Sequence, residues 1–534
     1  MITIEIIVYV VCGCYLLLNL RHDIHMLQQN SYRLKRYWKY LKDDITGMSR
    51  LVDVALLFLV FSTLLPPLGA AMIVGVVCLI KMSLLIKKKF KKPLVYTRRV
   101  MRIYSVAGAI SLGLFLAVIL ATGFRNGIFG VYAASTLSLG AMLVLAIFSW
   151  AVVMLSVMIL MPVEELINRK YWNEAASILK SMPDLKIVGI TGSYGKTSTK
   201  HYLERILSEE FDVLMTPGSY NTPMGVIRTV REMMKPYYKI FICEMGAKQK
   251  GDIKEICDLV HPHYGIITAV GPMHLETFKS IENVQSTKFE LVDALPSDGL
   301  AVVNDDFEYC ANREVTNVKT VRYSVSDRGD SRADYVAENI RYSSEGTQFT
   351  VKGPDGYELE LKTSLVGDCN ISNLLAAVIM AKKFGMSDGK IKRGVAGIAQ
   401  VEHRLSIKRT PGGVTIIDDA FNSNPTGSAM ALDVLNSFRE GRRIVVTPGM
   451  IELGAEQFAL NEKLGEKISE TSDIAIVVGL YNREALTSGI RKGGFNEKNL
   501  YMVESFDMAQ KVLSEILQKG DTILYENDLP DSFK

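Results

Sequence analysis

Apolar stretches long enough to enter a lipid bilayer dominate the first third of this 534-residue chain. They are separated by basic segments and occupy residues 2–20, 51–86, 103–122 and 128–161. About 20 apolar residues in helical form cross a bilayer, so the second stretch is too long for one crossing. Pro66 and Pro67 near its centre interrupt any helix there. The sequence therefore predicts a membrane domain of about five transmembrane helices over residues 1–170.

The basic segments predict how these helices are oriented. Residues 21–50 carry seven Lys and Arg side chains and residues 81–102 carry nine, whereas the turns at 66–69 and 123–127 carry none and one. Loops rich in Lys and Arg face the cytoplasm. With five spans, the chain starts outside and everything after the last span is cytoplasmic. We expect a multi-pass plasma-membrane protein, with Asp53 reaching the cytoplasmic interface.

Charge is distributed unevenly along the chain. Residues 1–170 hold 19 Lys and Arg against 7 Asp and Glu, while residues 171–534 hold 42 against 50. A basic apolar part joined to an acidic polar part is typical of a membrane protein with a soluble domain, and it argues against nucleic acid as a partner. The seven cysteines are scattered without a Cys-x-x-Cys pair, which favours a reducing compartment.

From residue 185 onward, short apolar runs alternate with helical stretches. The runs predicted as strands are 185–190, 239–243, 265–269, 301–304, 414–417, 443–447, 473–478 and 521–525. Apolar strands separated by helices predict parallel sheets that are covered on both faces. Between about 332 and 366 the residues alternate in polarity around glycine turns, which predicts an antiparallel insert.

A glycine-rich segment stands where the first of these strands meets the next helix. It reads Gly189-Ile190-Thr191-Gly192-Ser193-Tyr194-Gly195-Lys196-Thr197-Ser198. Such a turn directs backbone N–H groups toward phosphate oxygens, and the helix adds the positive end of its dipole. A lysine here can neutralise the β- and γ-phosphates, and the next threonine can bind Mg²⁺. The spacing departs from the general P-loop motif, because Ile190 stands where that motif has glycine.

Six motifs in order give the chain a resemblance to the Mur ligases, which use ATP to join an amino acid or peptide to a carboxylate. The glycine-rich segment resembles the family's Thr-Gly-Thr-x-Gly-Lys-Thr loop. The other five are similar to family signatures and comprise residues 217–225, Glu244-Met245-Gly246-Ala247 with Gly251-Asp252-Ile253, His274-Leu275-Glu276, residues 367–373, and residues 418–425. The resemblance covers about residues 185–460. Within the family, the chain is most similar to the ligases that add D-alanyl-D-alanine to a muramoyl tripeptide.

The resemblance implies a multidomain architecture in three parts. An α-helical transmembrane domain (1–170) precedes a central ATP-binding α/β domain with the P-loop (171–403) and a C-terminal Rossmann-like α/β domain (404–534). ATP would lie between the last two domains. Closure about a hinge near Arg404 would then assemble the site.

The resemblance also implies the residues of that site. ATP would contact Gly192, Ser193, Gly195, Lys196, Thr197 and Ser198 through its phosphates, and Asn373, Arg404 and Asp419 elsewhere. Two Mg²⁺ ions are implied, with Thr197, Glu244, His274 and Lys288 as ligands. Lys288 resembles a lysine that is carbamylated in several members, and Lys196, Lys288, His274 and Glu244 form the implied catalytic set. Without the resemblance, His274 would be interpreted as a capping or core histidine and Lys288 as a solvated helix lysine.

Several departures from the family pattern leave the acceptor open. Cys369 replaces a histidine, and the histidine expected after Glu452-Leu453-Gly454 is absent, with Asn461 nearby. Tyr525-Glu526-Asn527 stands in place of a Lys-Gly-Ser motif. The membrane domain occupies the place where a UDP-sugar-binding domain would be.

The function expected from this resemblance is ATP-dependent amide-bond formation through an acyl phosphate, in the synthesis of peptidoglycan precursors. The expected partners are membrane lipid, a carboxylate acceptor such as a muramoyl peptide, an amino-acid or dipeptide amine, and cell-wall synthesis enzymes. A membrane-bound poly-γ-glutamate or capsule-type ligase is the alternative within the enzyme class. A non-catalytic membrane scaffold and a P-loop ATPase of exporter layout are the alternatives outside it, although the chain has no Leu-Ser-Gly-Gly-Gln signature.

Overall fold

A computed structural model of the chain describes residues 2–30, 32–45, 48–61, 66–88, 90, 93–123, 130–325, 332–343, 346–420 and 423–528. The chain divides into two compact units, the first ending at Ile167 and the second beginning at Asn168. The boundary near residue 170 that the sequence predicts lies close to this division. The further division of the second unit at residue 403 stays a prediction.

The first unit consists of helices. They are α1 (Ile2–Gln29), α2 (Leu34–Ile45), α3 (Met48–Phe61), α4 (Pro67–Lys87), α5 (Arg98–Gly123), α6 (Gly130–Ile147) and α7 (Ser149–Lys180). The long apolar stretch forms two helices, α3 and α4, and Pro66 precedes α4 in an extended conformation. Residues 62–65 between them lie outside the described residues. The last apolar stretch is also interrupted, at Phe148, and α7 continues from there into the second unit.

Four helical segments in the described part of the chain are long and apolar enough to cross a membrane. They are Ile6–Gln29, Leu68–Lys87, Arg98–Ala121 and Ser149–Lys180, and Thr136–Ile147 is a shorter apolar segment. The described part of helix α3, Met48–Phe61, has 14 residues, fewer than the about 20 that cross a bilayer. The number of spans, about five, and their orientation stay predictions.

Two buried ion pairs join helices of the first unit. Arg50 lies 3.2 Å from the Asp23 carboxylate, and it also donates to two backbone carbonyls at the break between α6 and α7. Lys81 lies 2.5 Å from Asp53, which also accepts a hydrogen bond of 3.0 Å from the Tyr15 hydroxyl. Asp53 is 1% exposed, so its carboxylate is paired within the unit rather than extended toward solvent, and its position relative to the interface stays a prediction. A lysine on the adjacent helix compensates its charge, and the sequence pattern did not reveal that pairing.

In the second unit, nine of the described strands form one sheet. They are β1 (Lys186–Thr191), β2 (Val213–Met215), β3 (Ile240–Glu244), β4 (Tyr264–Ile267), β5 (Leu300–Asn304), β6 (Lys319–Ser324), β7 (Tyr335–Ser343), β8 (Gly346–Lys352) and β9 (Glu358–Thr363). Their order is β2-β3-β1-β4-β5-β6-β7-β8-β9. Neighbours from β2 to β7 pair in parallel, whereas β7–β8 and β8–β9 are antiparallel.

Helices cover both faces of this sheet. Those that follow the strands in sequence are α8 (Lys196–Leu207), α9 (Pro223–Met233), α10 (Asp252–Val260), α11 (Leu275–Phe278), α12 (Ile281–Asp293), α13 (Glu308–Ala311), α14 (Asp368–Lys383) and α15 (Asp388–Ala396). Successive residues of a strand point to opposite faces. Val188 accordingly packs with α8 and α14, and Ile187 packs with α9, α10 and α12.

Six further strands of the described chain form a second sheet, in the order β10-β11-β15-β12-β13-β14. The strands are β10 (Ser406–Arg409), β11 (Thr415–Asp419), β12 (Arg443–Thr447), β13 (Ile474–Val478), β14 (Leu500–Val503) and β15 (Thr522–Glu526). The helices of this part are α16 (Pro425–Ser437), α17 (Gln457–Thr471), α18 (Arg483–Lys492) and α19 (Phe506–Ile516). Only the pairing of β10 with β11 is antiparallel among these described strands.

Each of the eight predicted strands overlaps an observed one. The antiparallel insert also forms, and it extends the first sheet. The second sheet contains the antiparallel pair β10–β11, so both sheets are mixed rather than parallel throughout. The strands that the sequence did not indicate are β2, β6, β10 and β14, which are short or carry polar residues on one side. Because parallel strands end at a common edge, the segments after β1, β3 and β4 meet there.

Candidate functional site

The glycine-rich segment forms a tight turn between β1 and α8. Gly192 and Gly195 have φ values of +155° and +77°, and Gly195 is the N-cap of α8. A Cβ atom at either position would lie 2.1 Å from a neighbouring oxygen, on Thr268 or Asn373. Ser193 fixes the turn through its backbone N–H, which donates to Ala269 O at 2.7 Å. Only glycine therefore permits this turn at the two positions.

Lys196 begins α8 and folds back over this turn. Its ammonium group donates to Gly192 O at 2.7 Å and to Ser193 O at 3.3 Å. Burial lowers the pKa of Lys196 to about 8, with Glu244 opposing and Arg404 adding to the effect. Lys196 therefore remains mostly protonated at pH 7. Both acceptors are neutral carbonyl oxygens. A phosphate oxygen carries negative charge and would accept a stronger hydrogen bond from Lys196 in their place.

Glu244, the last residue of β3, is the centre of a buried polar cluster. Its Oε1 accepts hydrogen bonds from the Thr197 hydroxyl at 3.2 Å and from Asn221 Nδ2 at 2.9 Å. The Lys200 ammonium lies 3.0 Å from Oε2. Burial alone would raise the pKa of Glu244, but Lys200 and Lys196 outweigh it and hold that pKa below its usual value. Glu244 is thus an ionised carboxylate beside the glycine-rich turn.

His274 lies after β4, immediately before α11, with a left-handed φ of +52°. Its Nδ1 contacts Glu452 Oε2, and the Glu276 backbone N–H donates to Glu452 O at 3.3 Å. Burial lowers the pKa of His274, and the hydrogen bond to Glu452 partly restores it. When Nδ1 donates its proton to Glu452, Nε2 presents a lone pair that can bind a metal.

Lys288 lies on α12 and is only 2% exposed. Burial is the main reason that its pKa falls well below the usual value, and the positive charge of Lys196 lowers it further. The structure therefore does not support the simple interpretation of Lys288 as a solvated surface lysine. A neutral amine in this position can react with CO₂, whereas an ammonium group cannot.

The residues predicted to contact the rest of ATP lie near the same turn. The Asn373 Oδ1 accepts a hydrogen bond of 3.2 Å from Thr199 and packs against Gly195. Asp419 accepts from the Leu405 backbone N–H at 3.0 Å, and burial raises its pKa to about 6 despite the opposing charge of Arg404. Arg404 also interacts electrostatically with Lys196 and Glu244. The structure thus brings the predicted residues of both sequence regions together, while their roles stay predictions.

Two departures from the family pattern have clear structural positions. Burial raises the pKa of the Cys369 thiol to about 12, so this side chain is an uncharged packing residue against the core cluster that includes Leu405. Asn461 is fully buried, accepts from Met450 N at 2.8 Å and donates to Met450 O at 3.1 Å. Asn461 thereby fixes the loop that carries Glu452.

The third departure, at Glu526, creates a buried carboxyl group at the end of β15. Glu526 is 1% exposed and accepts hydrogen bonds from Ser428 at 2.6 Å, from Thr447 at 2.8 Å and from Ser423. Burial raises the pKa of Glu526 to about 7, against an ordinary 4.5. The folded chain therefore keeps this proton at pH values where the unfolded chain has lost it.

We expect Glu526→Gln to stabilise the protein at pH 8. As pH rises from about 4.5 to 7, the unfolded state loses this proton and the folded state retains it, so the free energy of unfolding falls by at most about 3 kcal/mol. Glutamine keeps the shape without titrating, so the variant should lack that fall. Melting temperatures of both proteins between pH 4 and 8 measure it, with Glu515→Gln as the exposed control. If the melting temperatures of wild type and Glu526→Gln changed with pH in parallel, the raised pKa of Glu526 would be refuted.

Thr197 and Glu244 fit a Mg²⁺ ion. Among the described residues, no three His, Cys, Asp or Glu side chains are close enough to hold a metal by themselves. Mg²⁺ does not require such a cage, because it usually keeps several waters and takes one or two carboxylates together with phosphate oxygens. For a second ion, His274 provides a ring nitrogen and Lys288 provides an amine nitrogen. They fit Mg²⁺, an oxygen-binding cation, only if Lys288 becomes a carbamate.

Three residues of this cluster were missed by the sequence interpretation. Lys200 and Asn221 both belong to the quoted motifs or their flanks, and both contact Glu244. Glu452 was noted as part of a retained motif without a role. A lysine one helical turn after Lys196 is a signal that could have indicated Lys200, because α8 places both on one face. Nothing local to Glu452 indicates His274, which lies 178 positions away.

The part of the chain that carries these residues is similar to known proteins. Models of the Mur ligase middle domain and of the Mur ligase glutamate ligase domain match residues 190–381 and 403–525. The UDP-N-acetylmuramoyl-tripeptide–D-alanyl-D-alanine ligase of Escherichia coli (strain K12) is 30% identical over 357 residues, which are 66% of this chain and 78% of that relative. The enzyme of the same name from Bacillus subtilis (strain 168) is 29% identical over 343 residues, which are 64% and 72%.

A solved structure shares the fold. The MurF ligase of Thermotoga maritima in complex with ADP superposes with a TM-score of 0.60 and 24% identity, over 68% of this chain and 80% of that one. The alignments leave about a third of this chain unmatched, whereas both domain models match the part that carries the site. The chain therefore belongs to the Mur ligase family of ATP-dependent ligases.

Proposed function

We propose that this protein joins an amine substrate to the carboxylate of a peptidoglycan precursor, most closely in the manner of the D-alanyl-D-alanine-adding relatives. The observation that carries the proposal is the cluster formed by Lys196, Thr197 and Glu244 at the glycine-rich turn. It combines a cation, a hydroxyl group and an ionised carboxylate within one buried site. The names of the relatives supply the substrate pair, a muramoyl tripeptide and D-alanyl-D-alanine.

The first step would be phosphorylation of the acceptor. A carboxylate oxygen attacks the γ-phosphorus of ATP, the bond from phosphorus to the bridging oxygen breaks, and ADP leaves with that electron pair. Two anions must meet in this step, so cations have to reduce their repulsion. Lys196 and the backbone N–H groups of the turn are placed to do so. Arg404 would add a second positive side chain.

The second step would form the amide. The amine nitrogen attacks the carbonyl carbon of the acyl phosphate, loses a proton, and inorganic phosphate leaves with the electrons of the C–O bond. Mg²⁺ bound by Thr197 and Glu244 would neutralise phosphate charge. Lys200 holds Glu244 ionised and in place through its ion pair of 3.0 Å. A carbamate on Lys288, formed from the neutral amine and CO₂ with release of a proton, would add an anion beside Lys196 and His274.

Glu452 would act as a positioning residue for His274. Metal-binding histidines usually donate their second ring N–H to a carboxylate, which fixes the ring orientation and the tautomer. Here that carboxylate comes from the sequence region predicted as the C-terminal domain. Formation of the second metal site would therefore depend on contact between the two ligase domains.

We expect Glu452→Gln to raise the Mg²⁺ concentration for half-maximal activity about 10-fold or more, the usual effect of removing such a partner. The KM for ATP at saturating Mg²⁺ should change much less. Glu456→Gln, on the same loop and exposed, is the matched control, and Mg²⁺ titration of ADP release is the measurement. An unchanged Mg²⁺ dependence in Glu452→Gln would show that Glu452 has no role at the metal.

The four long apolar helices support a location in the plasma membrane, with the ligase domains in the cytoplasm where ATP is available. The two Mur ligase domain models match residues 190–381 and 403–525, which lie outside those helices. Membrane lipid and cell-wall synthesis enzymes are the partners that this location would favour.

The direct test is ADP release by the detergent-purified, full-length protein with Mg²⁺-ATP. We expect release that requires both UDP-N-acetylmuramoyl tripeptide and D-alanyl-D-alanine. Release with glutamate or a glutamyl chain, and with no muramoyl peptide, would instead assign the protein to the capsule-polymer ligases. Absence of release with every acceptor would favour the scaffold alternative.

A further inference from the structure

Helix α2 is held against the first unit by one of its faces. Tyr37 and Leu41 are four residues apart, and both are fully buried in the core of that unit. Leu34 and Tyr40 pack partly against the same core. Tyr37 and Leu41 therefore fix which side of α2 faces outward.

The outward side of α2 is a stripe of lysines around a tryptophan. Lys35, Trp38, Lys39 and Lys42 follow the i, i+3, i+4, i+7 spacing of one helical face, and all four are exposed. Residues 33–44 hold five basic residues and two acidic ones, Asp43 and Asp44. We call Lys35, Trp38, Lys39 and Lys42 the basic stripe. A helix with basic residues and tryptophan on its outer face is typical of the membrane interface, where tryptophan lies at the level of the lipid headgroups.

Aromatic contacts connect the basic stripe to the break between α6 and α7. The Trp38 ring centroid lies 5.6 Å from that of Trp150, which lies 6.1 Å from that of Phe148. Phe148 is half-exposed, as is Trp38. Aromatic residues from two parts of the first unit thus lie beside one another, and clustered aromatic residues are typical of the belts at membrane interfaces.

We propose that the basic stripe binds the anionic headgroups of phospholipids in the cytoplasmic leaflet. This inference rests on the membrane location proposed above. Phosphate groups of lipid complement the lysines, while the acyl-chain boundary accommodates the exposed ring of Trp38. Each lysine near an anionic surface is expected to increase affinity roughly 5-fold, and the effect falls with added salt.

Quenching of Trp38 by brominated lipid tests the inference. Trp150→Phe with Trp172→Phe leaves Trp38 as the sole tryptophan of the full-length protein. The protein is reconstituted in phosphatidylcholine vesicles that contain either brominated phosphatidylglycerol or brominated phosphatidylcholine at equal mole fraction. We expect stronger quenching by the anionic lipid, a preference that salt reduces. Equal quenching by the two lipids would overturn the inference.

Charge variants separate lipid binding from orientation. Added in the same background, Lys35→Gln with Lys39→Gln and Lys42→Gln should abolish the preference, whereas arginine at the three positions should retain it. Lys498→Gln with Lys511→Gln and Lys519→Gln, on the surface of the second unit, is the control of equal charge. Protease access to the ligase domains reports whether each variant keeps its orientation. A preference retained in the glutamine variant would refute a role for the stripe. Failure of the wild type to float with vesicles would refute the membrane location itself.

Discussion

Replacement of Lys196 by alanine is expected to lower kcat at least ~10²-fold, the scale of losing one charged group that stabilises a transition state. Lys196 donates to two carbonyl oxygens of the glycine-rich turn and lies within the field of Glu244 and Arg404. A γ-phosphate beside the turn would take over its hydrogen bonds. The loss should appear in kcat for ADP release more than in the KM for the amine, which reacts after phosphate transfer.

Lys254→Ala is the matched control for this prediction. Lys254 lies exposed on α10, where it pairs with Asp258, and it should be dispensable for turnover. Circular dichroism and melting temperature must confirm that Lys196→Ala remains folded. If folded Lys196→Ala turned over as fast as the wild type, the assignment of the glycine-rich turn as the phosphate site would be wrong.

Lys288→Met is expected to cause a loss of similar size, at least ~10²-fold in kcat, because the variant cannot form a carbamate. The buried Lys288 amine has a pKa well below its usual value, mainly through burial and then through Lys196. As an ammonium group it would oppose a second cation. As a carbamate it would attract Lys196 and offer oxygens to a metal. Its buried charge would then be paired with positive charge rather than left uncompensated.

Labelled bicarbonate distinguishes carbamylation from a neutral structural lysine. With ¹³C-bicarbonate, the wild-type protein should show a carbamate carbon signal that Lys288→Met lacks, and removal of CO₂ should reduce wild-type activity reversibly. Lys254→Met again serves as the control. Full activity in CO₂-free buffer would exclude the carbamate, and normal turnover by Lys288→Met would exclude any catalytic role of this residue.

The parts of the site that the sequence could predict are those whose conformation depends on local chemistry. Gly192 and Gly195 are required by positive φ and by close neighbours, so the turn carries its own signature. Glu244 ends a continuous apolar strand, and this local pattern is enough to place it at the carboxyl end of that strand. Ordered motifs around these residues were sufficient to indicate the family and the alternation of strands and helices.

The parts that the sequence could not predict depend on tertiary contact. Glu452 meets His274 across 178 positions, and a motif pattern cannot specify such a pair. The pairing of Lys81 with Asp53 likewise depends on how α3 and α4 pack. The mixed character of the second sheet follows from β10, which pairs antiparallel with β11 and whose four residues carry no distinctive apolar run. Local patterns identified elements, whereas side-chain partners required the fold.

The fate of the acceptor oxygen during turnover distinguishes amide formation through an acyl phosphate from ATP hydrolysis alone. A muramoyl tripeptide labelled with ¹⁸O in its reacting carboxyl group is incubated with Mg²⁺-ATP, D-alanyl-D-alanine and the full-length protein, and the products are analysed by mass spectrometry. We expect an amide product with the mass of both substrates less water, and one ¹⁸O atom transferred to inorganic phosphate. ATP hydrolysis without a conjugate, and with unlabelled phosphate, would contradict this expectation.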